Sequence, residues 1–417
     1  MPEPGFTRLR EEFSQAVRQP DFDTVRRRSG GIRRRRAVTA AAAFLATVLT
    51  ATGLVTTSRD LPDEPSLFDT TPTATETPDG RVWPRMTSVA DTGTEVYAVY
   101  TRCRDCDTKL YVSSDDGESW QQRTIPTAPP NAENPREATL TVLTPGVIAW
   151  RERTVLPWTE AETPATVLPW ITRDGGRTWQ RAEISNQPVT AVPAGASPVD
   201  CGVWDVSACA VGVIDPATAK FAPLAAQPTG ITVAEQWNWQ VNVPLGGRLW
   251  IPGLDPVTKK PAVATSADGG RTWHTHVFTD GVTAESPGIG WIPAMYLPRI
   301  AAGSGAAAYV LTYRADNVAD VRYTTDGGTT WRTGDTVHDG ETTGFVTADG
   351  THILTDSSAD RTTTSAGRGT GKYAPVTLPG YPDDPSTAQI TGRYLVTAED
   401  GIHLSTDGRT WRRISQP

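Results

Sequence analysis

Lysine is almost missing from this chain. Five lysines stand against 34 arginines among 417 residues, a usage that looks like high-GC bacterial coding. Histidine and cysteine are nearly as scarce, at five and four. Two histidines, His274 and His276 in "WHTHVF", alternate along one extended segment, where exposed strand positions explain them better than a metal pair. The cysteines would hold zinc only if two separate pairs converged. No Gly-x-Ser-x-Gly elbow, HExxH pair or phosphate-binding loop occurs. The sequence therefore predicts no cofactor and no metal site. Positive charge is also lacking where nucleic acid would demand it. After residue 36 the chain holds 29 basic and 42 acidic side chains, a net of −13, so no nucleic-acid partner is expected.

What the chain does have is one phrase, used five times. "SSDDGESW" supplies Asp115, Gly117 and Trp120, and "TRDGGRTW" supplies Asp174, Gly176 and Trp179. "SADGGRTW" supplies Asp268, Gly270 and Trp273, and "TTDGGTTW" supplies Asp326, Gly328 and Trp331. "STDGRTW", one residue shorter, supplies Asp407 and Trp411. Each position answers a physical need. The Asp accepts hydrogen bonds from amides just ahead of it and closes a turn. The Gly supplies a positive φ, the hydroxyls satisfy further turn groups, and the Trp opens the next strand with a large apolar surface to bury. Strand-like flanks such as "KLYVS" and "WQQRTI" make the phrase a hairpin turn.

On these residues the sequence resembles the Asp-box, or BNR-repeat, β-propellers of the sialidase superfamily. The separations between box Asp residues are 59, 94, 58 and 81. Two of them are about double a single blade, which places degenerate blades near "VIDPATAKF", where Asp215-Pro216 opens a hairpin, and near "TSAGRGTGKY", where Gly367 replaces the box Asp. The expectation is an all-β, seven-bladed propeller over residues 81–417, about 48 residues per blade, with blades 1 and 7 each supplying their own four strands.

The N-terminal end is a different object. Residues 1–36 carry ten arginines and five acids, a net of +5, and Phe6, Leu9, Phe13 and Val17 fall near helical spacing. This tail is similar to the short tails of actinobacterial single-pass membrane proteins. Residues 37–56 contain no charge over a bilayer's span, directly behind "RRRR". They predict one transmembrane signal-anchor helix with the basic tail in the cytoplasm. The Pro/Thr-rich stretch 57–80 reads as a disordered linker. The propeller is then expected on the extracytoplasmic side of the cell membrane, where disulfides Cys103–Cys106 and Cys201–Cys209 would pin two loops.

The sialidase resemblance implies three arginines on a substrate carboxylate, a Tyr–Glu nucleophile and an Asp acid. The Arg-Ile-Pro phrase that carries the first arginine is not matched, because Arg85 is followed by Met86 and Thr87. No catalytic residue is carried over. The candidate ligand face is instead Trp237 and Trp239, read as two positions on one side of a strand, with Trp291, Tyr296, Arg299 and Arg85. The compact boxes are also similar to the photosystem II assembly-factor-like propellers, which bind and assemble other proteins. The reading is a binding or scaffold module for a protein or carbohydrate ligand; the alternative is a divergent sialidase-like exo-glycosidase.

Overall fold

The computed structural model describes residues 75–76, 82–83, 85–101, 108–126, 136–144, 146–154, 169–185, 187–194, 196–201, 209–233, 237, 241–244, 247–282, 297–314, 318–338, 343–358, 361–390, 393–398 and 400–417. Among them no helix is long and apolar enough to cross a membrane. The predicted tail, anchor span and Cys103–Cys106 lie outside the described residues, as do Trp239, Trp291 and Tyr296. Thr75–Glu76, at the end of the stretch read as linker, pair antiparallel with Val82–Trp83.

The propeller has seven blades. Blade 1 runs outward through Arg85–Asp91, Val96–Thr101, Lys109–Ser113 and Gln121–Arg123. Blade 2 uses Arg136–Thr144, Val147–Thr154, Trp170–Thr172 and Gln180–Arg181. Blade 4 uses Thr232–Val233, Leu249–Leu254, Pro261–Ser266 and His274–Val277, and blade 5 uses Arg299–Ala302, Ala308–Tyr313, Val318–Thr324 and Arg332–His338. Blade 6 uses Thr343–Val346, His352–Ser358, Arg361–Gly367 and Ala374–Pro375, and blade 7 uses Pro385–Ile390, Tyr394–Ala398, Gly401–Ser405 and Arg412–Ile414. In each of these six the strands pair antiparallel in chain order.

Blade 3 departs from that plan. Its inner three strands are Pro198–Asp200, Val211–Asp215 and Lys220–Pro223, and the middle hairpin opens at Asp215-Pro216 as expected. Its outermost strand is Glu183–Ile184, which precedes the others in the chain and pairs parallel with Lys220–Phe221. No third-to-fourth-strand hairpin exists there, so there is nowhere for a box to sit.

The core is divided among the blade junctions. Seven buried apolar clusters each span one junction, from Val99 with Trp150 between blades 1 and 2 to Ala98 with Leu404 between blades 7 and 1. The box Trp enters the junction with the preceding blade: Trp120, Trp179, Trp273, Trp331 and Trp411 all do so. The two blades without a box fill their junctions differently. Between blades 2 and 3 lie Phe221 and the disulfide-bonded Cys201 and Cys209. Between blades 5 and 6 lies Tyr373, whose hydroxyl meets His352 Nδ1 at 2.6 Å while His352 stacks on Tyr309 at 4.4 Å.

Among the described residues the ring closes blade against blade, with no exchanged strand. Arg393 of blade 7 donates to both carboxylate oxygens of the buried Asp91 in blade 1, at 2.8 and 2.9 Å, and also meets Asp116. Trp120 Nε1 donates to the Ser415 carbonyl at 3.0 Å across the same seam.

Candidate functional site

The box turn is the chemistry that recurs most often. In blade 4 the Ser266 hydroxyl donates to Asp268 Oδ1 at 2.7 Å and accepts the Gly270 amide at 2.8 Å. Asp268 Oδ1 also accepts the Thr272 amide at 3.0 Å, and Oδ2 the Thr272 hydroxyl at 2.6 Å. The same four bonds form around Asp115, Asp174 and Asp326. Asp407, in the short copy, accepts the Arg409 and Thr410 amides at 2.7 and 2.9 Å. The Ser119 hydroxyl and amide hold Asp115 down at about 2. Burial pulls Asp174 upward, but the Thr178 and Thr172 bonds outweigh it and leave that carboxyl at about 2 as well. The Thr272 and Thr330 hydroxyls hold Asp268 and Asp326 far below the usual carboxylate range. A general acid works with a pKa near the operating pH. These carboxylates accept hydrogen bonds from the hydroxyls and amides of their own turns.

Arginines at the junctions are similarly engaged. Arg314 and Arg322 both pair with Asp320, whose side chain is 1% exposed, and Arg409 pairs with Asp349 at 3.0 Å. Arg299 begins the inner strand of blade 5 and lies 5.8 Å from the centroid of the Tyr313 ring. Arg85 begins the inner strand of blade 1 opposite Thr101. Trp237 is only 3% exposed and packs among Val211, Leu224 and Ile251 between blades 3 and 4. Its indole N–H points to the Ala210 carbonyl at 3.4 Å. It lies outside any strand, so the two-residue alternation read for Trp237 and Trp239 does not apply, and its ring is taken up by packing.

Among the described residues no group of three or more His, Cys, Asp or Glu could hold a metal ion. His274 and His276 do sit on the outermost strand of blade 4, and His276 packs on Phe278 at 4.8 Å. A cavity of about 250 Å³ between blades 5 and 6 is lined by Asp335, Thr336, Asp356, Thr363, Ser365 and Tyr373. Val337 and Leu354 complete its lining, and Asp335 accepts the Tyr373 amide at 2.8 Å.

The distinctive geometry lies on the box side. Antiparallel alternation puts the first-to-second-strand connections on the same side as the boxes. Most are short: residues 92–95 in blade 1, 303–307 in blade 5 and 347–351 in blade 6. Two are not. Blade 3 uses 201–210, bridged by Cys201–Cys209 with Cα atoms 5.6 Å apart, and blade 4 uses 234–248. Within the latter, Val241–Asn242 pair parallel with Ile300–Ala301, on the inner side of blade 5. They also lie against the inner strand of blade 7. Blades 5 and 7 are not neighbours, so a segment that touches both inner strands runs through the central channel. Two residues of extended chain give no sequence signal that would separate a channel segment from a blade strand.

The chain is similar to YCF48 bound to D1 peptide, at 15% identity and a TM-score of 0.31, covering 69% of this chain and 76% of that one. It is similar to the β-propeller domain of the Trilobed protease from Pyrococcus furiosus, at 9% identity and a TM-score of 0.44, covering 80% and 96%. It is also similar to a Trypanosoma rangeli sialidase, at 12% identity and a TM-score of 0.33, covering 79% of this chain and 55% of that one. The chain is a seven-bladed β-propeller with structural neighbours of the sialidase and YCF48 types. No family model matches it, and no curated protein matches it.

Proposed function

We propose that this propeller is a membrane-anchored, extracytoplasmic binding or scaffold module for a protein or carbohydrate ligand. One observation carries the binding reading. The box carboxylates are fixed as turn acceptors, while the chain's extra length on that side goes into 201–210, bridged by Cys201–Cys209, and 234–248, of which Val241–Asn242 lie along the inner strand of blade 5. Variable connections on a rigid frame are where recognition resides. The Cys201–Cys209 bond supports an oxidising compartment, and the uncharged residues 37–56 behind four arginines support an N-in anchor.

Protease added to intact cells should cut within 57–80 and release the propeller. Removal of the basic tail alone would invert the topology. The activity arm is turnover of a fluorogenic sialoside by the purified chain. No turnover is expected; hydrolysis abolished by an arginine-to-alanine scan would make the chain a glycosidase and sink the binding-module reading.

A further inference from the structure

We infer that residues 241–243 are a displaceable internal strap, seated on a strand-accepting edge of the central channel that takes an extended peptide when the strap leaves. The inference rests on the binding reading and gives its site a ligand class.

The edge is the inner strand of blade 5, Arg299–Ala302. Its outer side is paired with Ala308–Leu311 through four residue pairs. Its inner side faces the channel and would present unpaired N–H and C=O groups, a ready template for another strand. The chain covers it with its own Val241–Asn242, in register with Ile300 and Ala301. Val241 and Val243 are partly buried against the cluster that holds Trp250, Ile300 and Ala302, and Val241 also reaches the Trp237 and Ile251 cluster.

Both flanks of this segment are held, and the stretch between them is lightly paired. Trp237, 3% exposed, anchors the start between blades 3 and 4. The strap proper has a two-residue parallel ladder, against six pairs between Leu249–Leu254 and Pro261–Ser266 in the parent blade. Pro244 follows immediately and brings no amide to extend the ladder. Parallel pairing is the less stable kind per residue, and elements with few buried apolar contacts open first. A segment anchored on both flanks, by Trp237 and by the buried Leu249 that opens a six-pair strand, and lightly paired between them is a displaceable strap. The strand it exposes would accept another extended chain by β-augmentation, in which main-chain bonds give affinity and alternate side-chain positions give selectivity.

Hydrogen exchange read by mass spectrometry on the full chain tests this in two arms. In the wild-type protein, the amides of 241–243, and those of Ile300–Ala302 that face the strap rather than Ala308–Leu311, should exchange at least about 100-fold faster than those of Tyr309–Leu311. Exchange as slow as at Tyr309–Leu311 would make the segment a permanent core strand and overturn the inference. In the second arm the strap is weakened by Val241→Gly with Val243→Gly, and a synthetic heptapeptide of the strap's own sequence, "WQVNVPL", is added. Slowing of exchange at Ile300–Ala302 by about 10-fold or more is expected. No slowing, in a variant whose other blades exchange as in the wild type, would also overturn it. Should the double variant fail to fold, the wild-type arm decides alone. Neither arm bears on the binding-module reading, which sialoside turnover tests separately.

Discussion

Gly270→Ala and Gly350→Ala should differ in cost although both place alanine at a positive φ. Gly270 has φ +91° and Gly350 φ +82°, so both substitutions meet the same left-handed strain, about 1–2 kcal/mol. Their surroundings differ. A Cβ at Gly350 would meet nothing within 4 Å. A Cβ at Gly270 would lie 2.6 Å from Leu224 Cδ1, in the neighbouring blade, and 3.4 Å from the Trp273 ring. Overpacking a filled core adds about 1–3 kcal/mol. Gly270→Ala should therefore cost about 2–5 kcal/mol and Gly350→Ala about 1–2. Urea unfolding followed by tryptophan fluorescence gives both numbers, with an unchanged m-value as the check that the denatured state is the same. The double variant Gly270→Ala/Leu224→Ala should cost at least about 0.5 kcal/mol less than the sum of its parts, because truncating Leu224 removes the clash. Equal costs for the two glycines, or strict additivity in the cycle, would refute the account of the box as an inter-blade joint.

Three further outcomes follow from the junctions. Burial holds His352 near pKa 3 in the folded protein against 6.5 unfolded, so the unfolded chain takes up the extra proton between those values. Stability from this group is therefore full above 6.5 and lost as pH falls, by about 2 kcal/mol at pH 5, and His352→Phe should flatten the slope between pH 7 and 5; an unchanged slope would refute it. His276, lowered by burial and then by His274, adds in the same direction, whereas box carboxylates titrate only nearer pH 4 and below. Arg393→Met leaves the buried Asp91 carboxylate without its blade 7 partner and should cost about 3–5 kcal/mol, with exchange protection falling first in blades 1 and 7; uniform loss around the ring would contradict a local seam. Reducing Cys201–Cys209 should lower stability by about 2–3 kcal/mol, read as a shift in the urea midpoint, while non-reducing mass mapping should find those two residues linked.

The sequence disclosed what is built from strong local chemistry. Each box position answers a named hydrogen bond or φ, so five short phrases were enough to set the turns, their strands and, through their spacing, the places of blades 3 and 6. Cys201 and Cys209 were legible because they stand eight residues apart in the chain. What stayed hidden depends on partners far away in the chain. Glu183–Ile184 is too short for any periodic pattern, and only Lys220–Phe221 makes it a strand. Trp237 has the composition of a ligand platform and the burial of a core residue. Val241–Asn242 look like any strand fragment until the inner edge of blade 5 is beside them.

Blade 3 has a consequence for the order in which the protein is made. Its outermost strand emerges from the ribosome first, and its partner begins at Lys220, 37 residues after Glu183. At about 5–20 residues per second, Glu183–Ile184 waits roughly 2–7 s with its ladder groups unpaired. Each of the other blades can add its strands from the axis outward as they appear, whereas blade 3 cannot close its outer edge until its third strand exists. During that interval Glu183–Ile184 has no partner, so the outer edge of blade 3 closes only after its third strand has emerged.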